Sequence, residues 1–115
     1  LTAVGSRSHG SASTQEYLDR FPVERFVSRG SSLKFCLLAA GEADIYPRLS
    51  RTMEWDTAAG DAVLRAAGGC VRTLDGASLR YDKRRQSADC DFANPHFVAF
   101  GDPAIAARAP RPDAT

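Results

Sequence analysis

Charge imbalance, long apolar runs and paired cysteine motifs are all missing from this 115-residue sequence. Its formal net charge is +1, so it offers no overall positive field to nucleic acid or an anionic membrane, and no nucleic-acid partner is expected. No apolar run approaches the roughly 20 residues of a membrane-spanning helix. No charged-then-apolar leader points to secretion. The three cysteines, Cys36, Cys70 and Cys90, are widely spaced, with no C-x-x-C pair and no histidine at zinc-ligand spacing. They read as free thiols of a reducing, cytoplasmic compartment. Methionine is nearly absent too: the only one is Met53, while the chain begins with Leu1. That reads as a processed start or as part of a longer chain. What is left is the composition of one globular domain with one core, without internal repeats or low-complexity segments.

Hydrophobic patterning divides the chain into alternating strands and helices. Leu1 to Val4 reads as a strand end. Ser13-x-x-Glu16 is a capping box opening a helix to about Arg20, before Pro22. Phe26 to Ser28 is a short strand, and Ser31 or Ser32 caps a helix from Leu33 to Ala40 that Gly41 stops. Ala43 to Tyr46 alternates as a strand and is expected to end at Pro47. Asp56 or Thr57 opens a third helix. In it Ala58, Ala59, Ala62, Val63, Ala66 and Ala67 recur as a narrow apolar stripe, expected to seat the helix closely on its neighbours. Cys70 to Thr73 is a strand, with a turn at Asp75-Gly76 and a return through Leu79 to Tyr81. Asp82 to Asp91 is a polar loop. Phe97 to Phe100, apolar throughout, is a buried strand, and Asp102-Pro103 starts a short helix. The fold class expected is therefore α/β, a mixed, largely parallel sheet flanked by helices over residues 1–108, with 109–115 a flexible tail.

Four places carry possible chemistry. Asp56 is either a helix cap or a hard oxygen ligand for Mg²⁺. Ser6-Arg7-Ser8-His9 follows a strand, where open sheets bind ligands, and is otherwise a polar turn. Arg29-Gly30-Ser31-Ser32-Leu33-Lys34 turns into a helix start whose free amides attract anions. Lys34 opposes the helix dipole there, and an anionic ligand would explain it. Arg48 and Glu54 either contact substrate or, as the favoured reading, are surface residues; Trp55 leans towards a core anchor, His96 towards a structural role, and Lys83-Arg84-Arg85 towards a solvated face.

Trp55-Asp56-Thr57-Ala58-Ala59-Gly60, with Val63, Leu64 and Gly68-Gly69 behind it, resembles the C-terminal signature of the inositol monophosphatase superfamily of Mg²⁺-dependent, lithium-sensitive phosphatases. Ser6 to His9, Gly30 to Cys36 and Ala43 to Arg48 are similar to its 3'(2'),5'-bisphosphate nucleotidase branch. The likeness covers roughly residues 4–101. It implies hydrolysis of adenosine 3',5'-bisphosphate to AMP and phosphate, with Asp56 as a catalytic Mg²⁺ ligand and Ser6, His9, Gly30 and Lys34 on the nucleotide. Metal ions would activate a water and stabilise the leaving oxygen. The family's upstream metal ligands, in G-E-E-type and D-P-I-D-G-T-type segments, do not occur here. The chain thus resembles a C-terminal half that needs its N-terminal half as partner and is expected to be inactive alone. The residues after Gly101 run on beyond where some relatives are expected to stop. Two rival readings remain: a sister phosphatase for inositol or fructose-bisphosphate substrates, or a nucleotide-binding module without chemistry.

Overall fold

The computed structural model of the chain describes residues 1–5, 12–29, 33–87 and 89–107. In chain order they form β1 (Thr2–Gly5), α1 (Ala12–Leu18), β2 (Arg25–Ser28), α2 (Leu33–Ala39), β3 (Ile45–Arg48), β4 (Thr52–Met53), α3 (Glu54–Ala66), β5 (Cys70–Thr73), β6 (Ala93–Asn94), β7 (Phe97–Phe100) and α4 (Pro103–Ala106). Five strands make one sheet in the order β2-β1-β3-β7-β5, and β4 pairs with β6 in a separate ribbon. The β1–β2 and β1–β3 pairs are parallel, while β7 runs antiparallel to both β3 and β5. Only β7 is therefore reversed, and the sheet is α/β, mixed and largely parallel, as the alternation of elements implies.

Period-two alternation sends successive side chains to opposite faces, and each face has its own core. Val4, Tyr46, Phe97 and Ala99 meet Phe35 and Leu38 of α2 and Leu64 of α3 on one side. Ala3, Ile45, Val98 and Phe100 meet Leu18, Phe21 and Ile105 on the other. This is why Phe97 to Phe100 is apolar without interruption: all four residues are buried. Asp102 caps α4 by accepting the Ala104 amide at 2.9 Å, with Pro103 directly behind it.

Three expectations need correction. β3 does not stop before Pro47; it continues to Arg48, with Pro47 opposite Val98 of β7. Its paired position on β1 is Ala3 opposite Ile45, so the proline, which lacks an amide, lies where the strand has one laddered neighbour. Residues 52–53 and 93–94, to which the sequence pattern assigns no element, form the β4–β6 ribbon. The alanine stripe of α3 faces outward: Ala58, Ala59, Ala62, Val63, Ala66 and Ala67 are all exposed. Its buried face is Glu54, Thr57, Gly60, Asp61 and Leu64. Close seating against α2 is instead due to Gly60, where an added Cβ would lie 2.6 Å from Phe35 Cδ2. The helix ends at Gly68, whose φ of +97° suits glycine. The expected tail, 109–115, lies outside the described residues. No helix among the described residues is long and apolar enough to cross a membrane.

Candidate phosphate and metal site

The β3 strand, the first turn of α2 and the first turns of α3 open onto one half-open cavity of about 190 Å³, lined by Lys34, Phe35, Tyr46, Arg48, Thr52, Asp56 and Thr57. Its floor is aromatic. Phe35 stacks on Phe97 and meets Tyr46 edge-on, with centroid separations of 6.1 and 5.5 Å. Two cations, Lys34 and Arg48, lie beside that floor. Lys34 is only 3% exposed, with Nζ 5.4 Å from the Tyr46 ring centroid. Burial, and secondly the charge of Arg48, hold the Lys34 ammonium below its ordinary pKa. Tyr46 is pushed the other way by burial, against the opposing pull of the neighbouring Arg48 guanidinium. Arg48 Nε is buried and has no hydrogen-bond partner among the described residues. A buried donor of that kind is costly unless something accepts from it.

Asp56 is at the third position of α3 and not at its cap, because the helix begins two residues earlier. Its carboxylate Oδ2 accepts the Met53 amide at 2.8 Å, while its other oxygen has no hydrogen bond within the described residues. Asp56 itself is exposed. Both alternatives raised by its sequence position are therefore open to one side chain: one oxygen closes the helix start, and the second is available to a ligand.

Of the five residues singled out from sequence, Lys34 and Asp56 are brought to this cavity, whereas Ser6, His9 and Gly30 lie outside the described residues. Several expectations about their neighbours are overturned. Arg48 is not on the surface; it lines the cavity. Glu54 is buried, 8% exposed, paired with Lys83 at 2.8 Å, so Lys83 does not belong to a solvated face. Trp55 is 70% exposed and anchors no core. His96 is exposed, on a larger open groove of about 450 Å³ with Leu74, Arg80 and Pro95. That groove also carries Asp75, Arg80 and Lys83, but its Lys83 is already paired with Glu54. Arg48 could have been found by its spacing: it is one strand alternation from Tyr46, so the two side chains share a face.

A hard carboxylate beside two cations fits a metal–phosphate pair in part. Asp56 suits one ligand position of a divalent cation, yet no group of three His, Cys, Asp or Glu side chains converges among the described residues. Mg²⁺ usually keeps waters and draws on substrate phosphates or further carboxylates, so Asp56 would be one ligand among several.

Known proteins share this arrangement of elements. The CysQ structure from Bacteroides thetaiotaomicron, described as a bacterial member of the inositol monophosphatase family, superposes with a TM-score of 0.72 at 43% identity, over 87% of this chain and 36% of that one. The 3'(2'),5'-bisphosphate nucleotidase CysQ of Escherichia coli K12 is 48% identical over 94 residues, 82% of this chain and 36% of the relative. A Rhizobium leguminosarum protein of uncharacterised role is 71% identical over 72 residues, 63% of this chain and 76% of its own length. The chain thus spans about a third of the CysQ proteins it matches. Since the model of the inositol monophosphatase family also matches residues 1–99, the chain belongs to that family.

Proposed function

We propose that the chain is the C-terminal, nucleotide-holding part of a Mg²⁺-dependent 3'(2'),5'-bisphosphate nucleotidase, a phosphoric monoester hydrolase acting on adenosine 3',5'-bisphosphate to give AMP and phosphate. The observation that carries this reading is the meeting of Lys34, Arg48 and Asp56 around one cavity. Two cations, one with a buried donor that has no partner among the described residues, suit the oxygens of a phosphate. The carboxylate beside them suits a cation bound to that same phosphate. Identity of 48% to a relative named as such a nucleotidase supports the choice of substrate.

In this reading Lys34 and Arg48 bind and orient a phosphate group, and Ser6, His9 and Gly30 contact the nucleotide. Asp56 holds one Mg²⁺, which when bound activates water and stabilises the leaving oxygen. The other ligands come from a partner portion, the N-terminal half of the same enzyme, so the chain alone does not turn over. Cytoplasmic location and a role in sulfur assimilation follow from the same reading.

A chimera tests it. The matching 94-residue stretch of E. coli CysQ is replaced by this chain, and phosphate release is followed with adenosine 3',5'-bisphosphate, inositol monophosphate and fructose bisphosphate. Mg²⁺-dependent release from the nucleotide by the chimera, and none by the chain alone, is the expected result. Preference for a sugar phosphate, or a folded but inactive chimera that still binds nucleotide, overturns it.

A further inference from the structure

The side chains around Asp56 form a hydrogen-bonded chain that reaches across from a loop distant in sequence. Glu54, two residues before Asp56, is buried, and its carboxylate accepts two successive backbone amides, Asp82 at 2.7 Å and Lys83 at 2.9 Å. Asp82 has φ +63°, the left-handed turn that lets neighbouring amides converge on one anion. Lys83 Nζ completes the cradle at 2.8 Å from Glu54 and donates also to the Arg80 carbonyl and, at 3.1 Å, to Asn94 Oδ1. That last bond fixes which way the Asn94 amide points. Its nitrogen is left facing α3, 3.0 Å from Thr52 Oγ1, 3.1 Å from the Met53 carbonyl and 3.1 Å from Thr57 Oγ1. The Phe92 carbonyl closes the ring by accepting the Glu54 amide at 2.8 Å.

We infer that Lys83 and Asn94 are positioning residues for the Asp56 carboxylate. Lys83 sets the orientation of Asn94, and Asn94 holds residues 53 and 57, which flank Asp56. Met53 is the residue whose amide binds one Asp56 oxygen, so its carbonyl side and its amide side are both clamped. The second Asp56 oxygen is thereby aimed in one direction before any cation arrives. Partners of metal ligands commonly act in this way and change metal affinity about 10–100-fold when altered. The inference rests on the reading of Asp56 as a metal ligand.

The experiment uses the E. coli CysQ chimera, in which the N-terminal half supplies the remaining ligands, and reads Mn²⁺ binding through paramagnetic broadening of the amide signals around Asp56, with exchange of the Met53 amide measured alongside. Asn94→Asp keeps the shape and the acceptor for Lys83 but removes the donated bonds to Met53 and Thr57. Glu54→Gln with Lys83→Met removes both charges together, so neither is left buried alone. The expected result, in either variant that retains a dispersed native spectrum, is Mn²⁺ binding weakened roughly tenfold or more and faster Met53 exchange. Asp56→Asn weakens Mn²⁺ binding at least as much. Folded variants of both kinds that bind Mn²⁺ as the unaltered chimera does, while Asp56→Asn binds it more weakly, overturn the positioning role alone. Binding unchanged by Asp56→Asn overturns the metal assignment and this inference with it.

Discussion

Replacing Lys34 with Met removes the buried ammonium while keeping much of its apolar stem. Exposed ion pairs contribute only about 0–1 kcal/mol, but Lys34 is 3% exposed and lies in a cavity shared with Arg48. A phosphate oxygen there accepts a charge-assisted bond of about 1.5–3 kcal/mol. At about 1.4 kcal/mol per tenfold, that is a loss of roughly 10- to 150-fold in affinity for adenosine 3',5'-bisphosphate. Titration calorimetry across pH measures it. Burial and Arg48 lower the pKa of Lys34 in the folded chain, so between that lowered value and the ordinary lysine value the folded chain binds fewer protons than the unfolded one. Stability without ligand therefore rises with pH through that window. Affinity for the phosphate runs the opposite way, falling as pH climbs through the lowered value, because the ligand needs the ammonium. Lys34→Met removes both contributions. A loss of threefold or less, with an unchanged pH slope, would refute the placement of a phosphate at this lysine.

Three further outcomes follow from the packing and the buried charges. Gly60→Ala pushes a methyl group into Phe35, and is expected to destabilise the chain by about 1–3 kcal/mol in urea unfolding. Trp55→Ser, on the exposed face of α3, is expected to change stability by no more than about 0.5 kcal/mol in the same assay. Burial tends to raise the Glu54 pKa, but the Lys83 side chain and the amides of residues 82 and 83 outweigh it and leave it lowered. Its contribution is accordingly present above the ordinary glutamate value and lost as pH falls through the lowered one, which thermal melts between neutral and acid pH will show.

Much of the architecture was legible because it rests on local signals. The uninterrupted Phe97 to Phe100 run can only be a strand buried on both faces, and Asp102-Pro103 marks a helix start by chemistry local to those residues. The orientation of α3 was not legible. Counting alanines assigns the wrong face, because the helix buries Thr57 and Asp61 by satisfying them: Asn94 donates to the Thr57 hydroxyl, while Tyr81 at 2.7 Å and Arg65 at 2.7 Å donate to Asp61. Arg65 is a helical i+4 neighbour, but Tyr81 and Asn94 are 20 and 37 positions away, beyond what helical periodicity conveys. Glu54 and Lys83 were misplaced for the same reason, since each looks solvated until the other is brought to it. Lys34 and Asp56 were identifiable individually, from a cation that opposes a helix dipole and a carboxylate at a helix start. Their meeting with Arg48 required the sheet to set β3 beside both helices.

The most direct measurement is the rate of phosphate release from adenosine 3',5'-bisphosphate by the E. coli chimera carrying Asp56→Asn, with nucleotide binding measured in parallel. Loss of a metal ligand worth several kcal/mol predicts a fall on the order of a hundredfold or more in kcat, while the Lys34 and Arg48 contacts keep the nucleotide bound. A rate equal to that of the unaltered chimera would contradict the assignment of Asp56 to the metal.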